Sequence, residues 1–197
     1  AEILDKNSDC EGVCDAVGVH YDDNAGKERW ESLNRESLTT LSGDVQPDYM
    51  YEAQLGVSKE VSGHCASDGF TVKKRALLRV GMFPEHLRLH QDTVLWAKLG
   101  ASARIYPGKL DKPVAMRGVH RGNRITASRS EVEIAEARIL MWLYLWKWGQ
   151  GKLSIERLNL TLGKVLKLTE SLVDRELIWR KRALILWSKY VRLGFKE

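Results

Sequence analysis

The run from Gly69 to Leu99 limits what this chain can fold into more than any other part of it. Gly69-Phe70-Thr71-Val72 has the aromatic and β-branched character of a strand. Lys74 to Val80 reads as a helix stopped by Gly81. After the turn Gly81-Met82-Phe83, a second helix is expected from Gln91 to Leu99. Val94, Leu95 and Leu99 form its apolar side, the acid Asp92 lies in its first turn, and Gly100 stops it. A strand, a helix, a turn and a helix in so short a span place the chain among mixed α/β proteins.

The flanking segments extend that pattern. Asp15 to Tyr21 is a strand candidate that runs into the turn Asp22-Asp23-Asn24-Ala25-Gly26. Residues 27–60 read as loop with short helices. Ala103 to Tyr106 is a strand closed by Pro107-Gly108, and Pro113 to Met116 is another. It leads into a basic, glycine-containing loop, Arg117-Gly118-Val119-His120-Arg121-Gly122-Asn123-Arg124.

The composition changes after Thr126. Ser130, followed by Glu131 and Glu133, has the form of a helix start. That helix runs through Ile134, Ile139, Met141 and Leu145 to Gly149, and Gly149-Gln150-Gly151 breaks it. A second helix is expected from Ser154 to Val173 and a third from Asp174 to Leu193. Two domains follow: an α/β portion over 1–126 and an all-helical tail over 127–197. The 197-residue chain has a net charge of +5, and the tail holds all of it, with 13 Lys and Arg against 8 Asp and Glu in residues 131–197. Trp142, Tyr144, Trp146 and Trp148 spread over more than one helical face, so some must pack on other helices or on lipid headgroups. A basic, aromatic tail suits an anionic membrane surface. The basic residues are joined to no motif of known docking geometry, so nucleic acid is not an expected partner.

The three cysteines, Cys10, Cys14 and Cys65, are an odd number. The expectation is reduced, structural thiols in a cytoplasmic protein. Cys10 and Cys14 are spaced C-x3-C with His20 nearby, but no second paired motif supplies a fourth zinc ligand. No run of about 18 apolar residues occurs, so no transmembrane helix is expected.

Gly69–Phe83 followed by His90–Leu99 resembles the second half of the catalytic domain of family 2 glycosyltransferases, which have the GT-A fold. In that family an acidic pair opens the helix, with Leu and Trp behind it. Here the pair is Gln91-Asp92, followed by Leu95 and Trp96. The resemblance implies that Asp92 is the catalytic base of an inverting transfer, with Gln91 beside the substrate. It places His64, Asp68 and Gly69 at the acceptor and donor sugar. Arg117, His120, Arg121 and Arg124 would lie over the diphosphate of the nucleotide, where arginine's fork of charged donors suits it. His120 could also approach a metal. The implied donor is a nucleotide-sugar, UDP-linked, with Mg²⁺ or Mn²⁺ on its diphosphate. The implied acceptor is a glycan or a lipid-linked sugar, at the inner face of the cell membrane.

The metal-binding Asp-x-Asp of such enzymes ends a strand that follows a nucleotide-binding βαβ unit. Asp22-Asp23 has too few residues before it for such a unit. The donor-binding half and its acids are therefore expected outside this chain. His64, Ser67 and Asp68 make no hydrolase triad, since no Gly-x-Ser-x-Gly elbow is present. The competing class is a non-catalytic remnant or interaction module that works through the helical tail.

Overall fold

Gly12, Val13 and Cys14 carry little strand signal of their own, yet they form the central strand of the larger sheet. The computed structural model describes residues 2–21, 24–31, 38–56, 63, 65–119, 129–174 and 188. In chain order its elements are α1 (Glu2–Lys6), β1 (Gly12–Cys14), β2 (Val17–Tyr21), α2 (Asn24–Glu31), α3 (Met50–Leu55), β3 (Phe70–Val72), α4 (Lys74–Arg79), α5 (Gln91–Ser102), β4 (Ile105–Pro107), β5 (Ala115–Val119), α6 (Glu131–Gly149) and α7 (Ile155–Asp174). Single 3₁₀ turns occupy Pro47–Tyr49 and Ser67–Gly69. The chain is mixed α/β. It divides into one unit of residues 1–82 and 95–127 and another of residues 83–94 and 128–197.

In the first unit β1 pairs antiparallel with β3 and parallel with β4, in the order β3-β1-β4. The strand expected from Asp15 to Tyr21 begins only at Val17. Asp15 N–H donates to the Gly69 carbonyl and Ala16 N–H to the Lys109 carbonyl, each at 2.8 Å. The chain then leaves the first sheet, and β2 pairs parallel with β5 from Val17↔Ala115 to Tyr21↔Val119. Pairing with β2 also moves the last strand two residues later than its expected start, so Arg117 lies on a strand and not in a loop.

Helix α5 runs through Gly100 to Ser102 and does not stop at the glycine. A Cβ at Gly100 would lie 3.2 Å from the backbone of Met50 and Tyr51. The residue is therefore a point of close helix–backbone approach, which only glycine permits without displacement. Met50, Tyr51, Leu95, Leu99 and Ile105 are fully buried in this core, each worth roughly 1.5–3 kcal/mol for the aliphatic side chains. Trp96 stacks on Phe70 with ring centroids 4.3 Å apart. Lys98 is only 1% exposed. Its ammonium donates to the Val80 carbonyl at 3.3 Å, at the C-terminal end of α4, where the helix dipole favours a cation. Glu11 is also buried, and both its oxygens accept from Arg79, at 2.9 and 2.7 Å.

The thiol expectation is corrected here. Cys14 and Cys65 form a disulfide with Cα atoms 6.0 Å apart. Cys10 alone is free and buried, and its thiol donates to the Gly12 carbonyl. With Cys14 in a bridge, the C-x3-C spacing offers no pair of thiolate ligands.

In the second unit α6 begins as the sequence predicts. Ser130 Oγ accepts from Glu133 N–H at 3.2 Å, and the Glu133 carboxylate accepts from Ser130 N–H at 2.8 Å. This reciprocal cap satisfies two donors that a helix start leaves open. Two faces of α6 are covered. Ile139 and Leu143 pack with Val165 and Leu172 of α7. Met141 packs with Leu87 and Val94. Trp142 and Tyr144 lie against both clusters, which explains why the aromatic residues are not confined to one side. The third helix expected at 174–193 lies outside the described residues but for Asp174, which ends α7, and residue 188. No helix among the described residues is long and apolar enough to cross a membrane.

Candidate functional site

The first turn of α5 is built by the segment before it. Leu87 N–H closes a turn onto the Pro84 carbonyl at 3.1 Å. Leu87 is held in the core with Val94 and Met141, and the His86 ring lies against Tyr144 with centroids 4.8 Å apart. The Gln91 side-chain amide donates back to the Leu87 carbonyl. Gln91, expected beside the substrate, therefore ties the helix start to its preceding turn. The His90 carbonyl accepts the Val94 N–H at 3.1 Å, the first bond of the helix.

Asp92 is exposed on this turn. Its Oδ1 accepts from Thr93 N–H at 2.7 Å, with the Thr93 hydroxyl at 3.4 Å. The partial positive charge of a helix N-terminus favours a carboxylate there. Fixed by a buried helix face and open to solvent, such a group can take a proton from an incoming hydroxyl.

His90, which the sequence did not single out, adjoins it. Its backbone is left-handed, with φ of +62°. Its Nε2 is buried with no hydrogen-bond partner among the described residues. Burial pushes the imidazole below its ordinary pKa, and the Arg138 guanidinium pushes the same way, while the Asp92 carboxylate opposes them. Histidine is several-fold enriched in left-handed backbone, but that preference is too general to mark this one position in the sequence.

In the first unit the structure joins two expected residues that are far apart in sequence. Arg117 Nε donates to Asp68 Oδ2 at 2.6 Å. Asp68 lies in the 3₁₀ turn before β3, and Arg117 on β5. Both side chains are about two-fifths exposed, so the pair is worth at most about 1 kcal/mol and would yield readily to an anionic ligand. Gly69 has a backbone role. A Cβ there would strike the Asp15 carbonyl and come within 2.8 Å of Val17. A cavity of about 280 Å³ in this unit is lined by Ile3, Leu4, Val13, Asp15, Thr71 and Lys109. Asp15 Oδ1 accepts the Lys109 N–H at 2.7 Å.

His64, His120, Arg121 and Arg124 lie outside the described residues. Among the described residues no three His, Cys, Asp or Glu side chains come together to hold a metal ion. Asp68 is engaged by Arg117, and Asp9 and Asp48 by Arg104. These groups do not make a site for Mg²⁺ or Mn²⁺. No family model, curated protein or solved structure matches the chain.

Proposed function

We propose that this chain is the acceptor-side portion of an inverting, family 2-like glycosyltransferase of the GT-A fold. The observation that supports this most is the exposed Asp92 carboxylate on the first turn of a helix anchored by Val94, Leu95 and Leu99. In the proposed reaction an acceptor hydroxyl gives its proton to Asp92 as its oxygen attacks the anomeric carbon. The bond from that carbon to the nucleoside diphosphate breaks, and the diphosphate leaves with the electron pair. Arg117, with Arg121, Arg124 and His120, would receive that negative charge. Mg²⁺ or Mn²⁺ would offset charge on the diphosphate, but the described residues do not hold it and no step here depends on it.

The donor would be a UDP-sugar and the acceptor a glycan or lipid-linked sugar. The Cys14–Cys65 bridge favours an oxidising compartment over the cytoplasmic side of the membrane, because cytosolic thiols are kept reduced. Two measurements test the reading. In a protein that joins this portion to the donor-binding half, UDP with Mn²⁺ should raise the melting temperature, as any ligand of the native state must. Asp92→Asn should keep that rise and lose transfer by about 10²–10⁴-fold. Transfer at the parent rate removes Asp92 as the base. No effect of UDP on melting would favour the non-catalytic module acting through its helices.

A further inference from the structure

A strained backbone, a buried nitrogen without a partner and a neighbouring acid coincide at His90. The left-handed conformation at φ +62° is one that side-chain-bearing residues rarely adopt. Strained positions persist only where the surroundings enforce them, and they gather at functional sites. Here the surroundings are explicit. Leu87 is fixed in the core, and the Gln91 amide clamps the Leu87 carbonyl. The His90 carbonyl holds the first amide of α5, that of Val94. The charged groups that act on the ring are Arg138 of α6 and Asp92 of α5. Among the described residues the buried Nε2 has no acceptor to receive a proton's hydrogen bond.

We propose that His90 is a positioning residue for Asp92 and makes the Asp92 turn sensitive to acid: the neutral ring packs and holds the turn, and the protonated ring leaves its pocket and releases it. A proton on Nε2 would be buried without an acceptor, beside the positive Arg138. The attraction of Asp92 is best met by a ring swung outward, where the new imidazolium would meet the carboxylate directly. Without the packed ring the left-handed turn is no longer held, so the His90–Val94 bond opens and Asp92 leaves its fixed position. The inference rests on Asp92 being the base of the proposed transfer, and its effect is to shut the reaction off in acid.

The test uses the whole chain, free of ligand. The His90 imidazole is titrated by NMR while the hydrogen-exchange protection of the Val94 amide is followed across the same pH range. His90 should titrate below the ordinary value of 6.5. Val94 protection should fall as pH drops below the opened-state midpoint, tenfold for each pH unit, and level off below the native midpoint of His90. His90→Asn and His90→Gly tolerate the left-handed backbone and carry no imidazole. In both, Val94 protection should be lower than in the parent at neutral pH and flat through that range, and the transfer that remains should keep an acid limb only in the carboxylate range. Val94 protection that stays flat in the parent as His90 titrates overturns the proposal. So does an acid limb that His90→Asn leaves in place. A parent that shows the linked loss of protection but no transfer at any pH upholds the acid-sensitive turn and overturns the glycosyltransferase reading instead.

Discussion

Removing the Arg79 guanidinium leaves a carboxylate inside the first unit with little to balance it. The Glu11 side chain is 12% exposed and that of Arg79 is 44% exposed. Two short hydrogen bonds join them, and Arg75 stands 3.6 Å away on the same carboxylate. Breaking a fully buried pair costs about 3–5 kcal/mol. Arg79 reaches water, and Arg75 remains, so the loss should be smaller, about 2 kcal/mol. In a chain of 197 residues that lowers the melting temperature by about 4–8 °C. Arg79→Met keeps the aliphatic stem and removes the charge together with the hydrogen bond from Arg79 to the Ser102 carbonyl, so it is the variant to melt.

The pH dependence has a definite sign. The Arg79 hydrogen bond, helped by the charges of Arg79 and Arg75 and opposed by burial, holds the Glu11 carboxyl below its usual value of 4.5. Stability from the pair is thus fully present above the unfolded-state value and is lost as pH falls through the folded one. The difference between parent and Arg79→Met should be full at pH 7 and shrink below about pH 4. Adding Glu11→Met should restore much of the loss, because apolar replacements of a buried pair are often close to neutral. Equal destabilisation at pH 7 and in acid would refute the electrostatic origin. A double variant as unstable as the sum of the singles would refute the buried-charge argument.

Reduction of the Cys14–Cys65 bridge, 51 residues apart, should destabilise the chain by about 4 kcal/mol on the chain-entropy relation. Melting with and without dithiothreitol measures this, and an identical transition would refute it. Ser130→Ala removes the cap of α6 and should cost about 1 kcal/mol in a urea titration. Gly69→Ala places a methyl against the Asp15 carbonyl and should lower the urea midpoint by the equivalent of about 1–3 kcal/mol. An unchanged midpoint would show that the strand ends can separate there at no cost.

The start of α6 at Ser130, its end before Gly151 and the opening of α5 at Gln91 were all legible in the sequence. Caps, breakers and helical spacing act within a few residues, so sequence alone determines them. The place of Asp92 on the first turn was legible for the same reason; its exposure was shown by the structure. Tertiary structure alone decided the rest. Strand β1 exists because β3 and β4 flank it, not because of its own residues. The Asp68–Arg117 pair joins residues 49 apart, and the Glu11–Arg79 pair residues 68 apart. Cys14 found Cys65 although the odd cysteine count spoke against a bridge. Gly100 passes through α5 because α3 needs the space a side chain would fill. His90 takes its strained backbone from the core contact of Leu87 and the clamp of Gln91. Each of these depends on which distant segments meet, and local propensity holds no information about that.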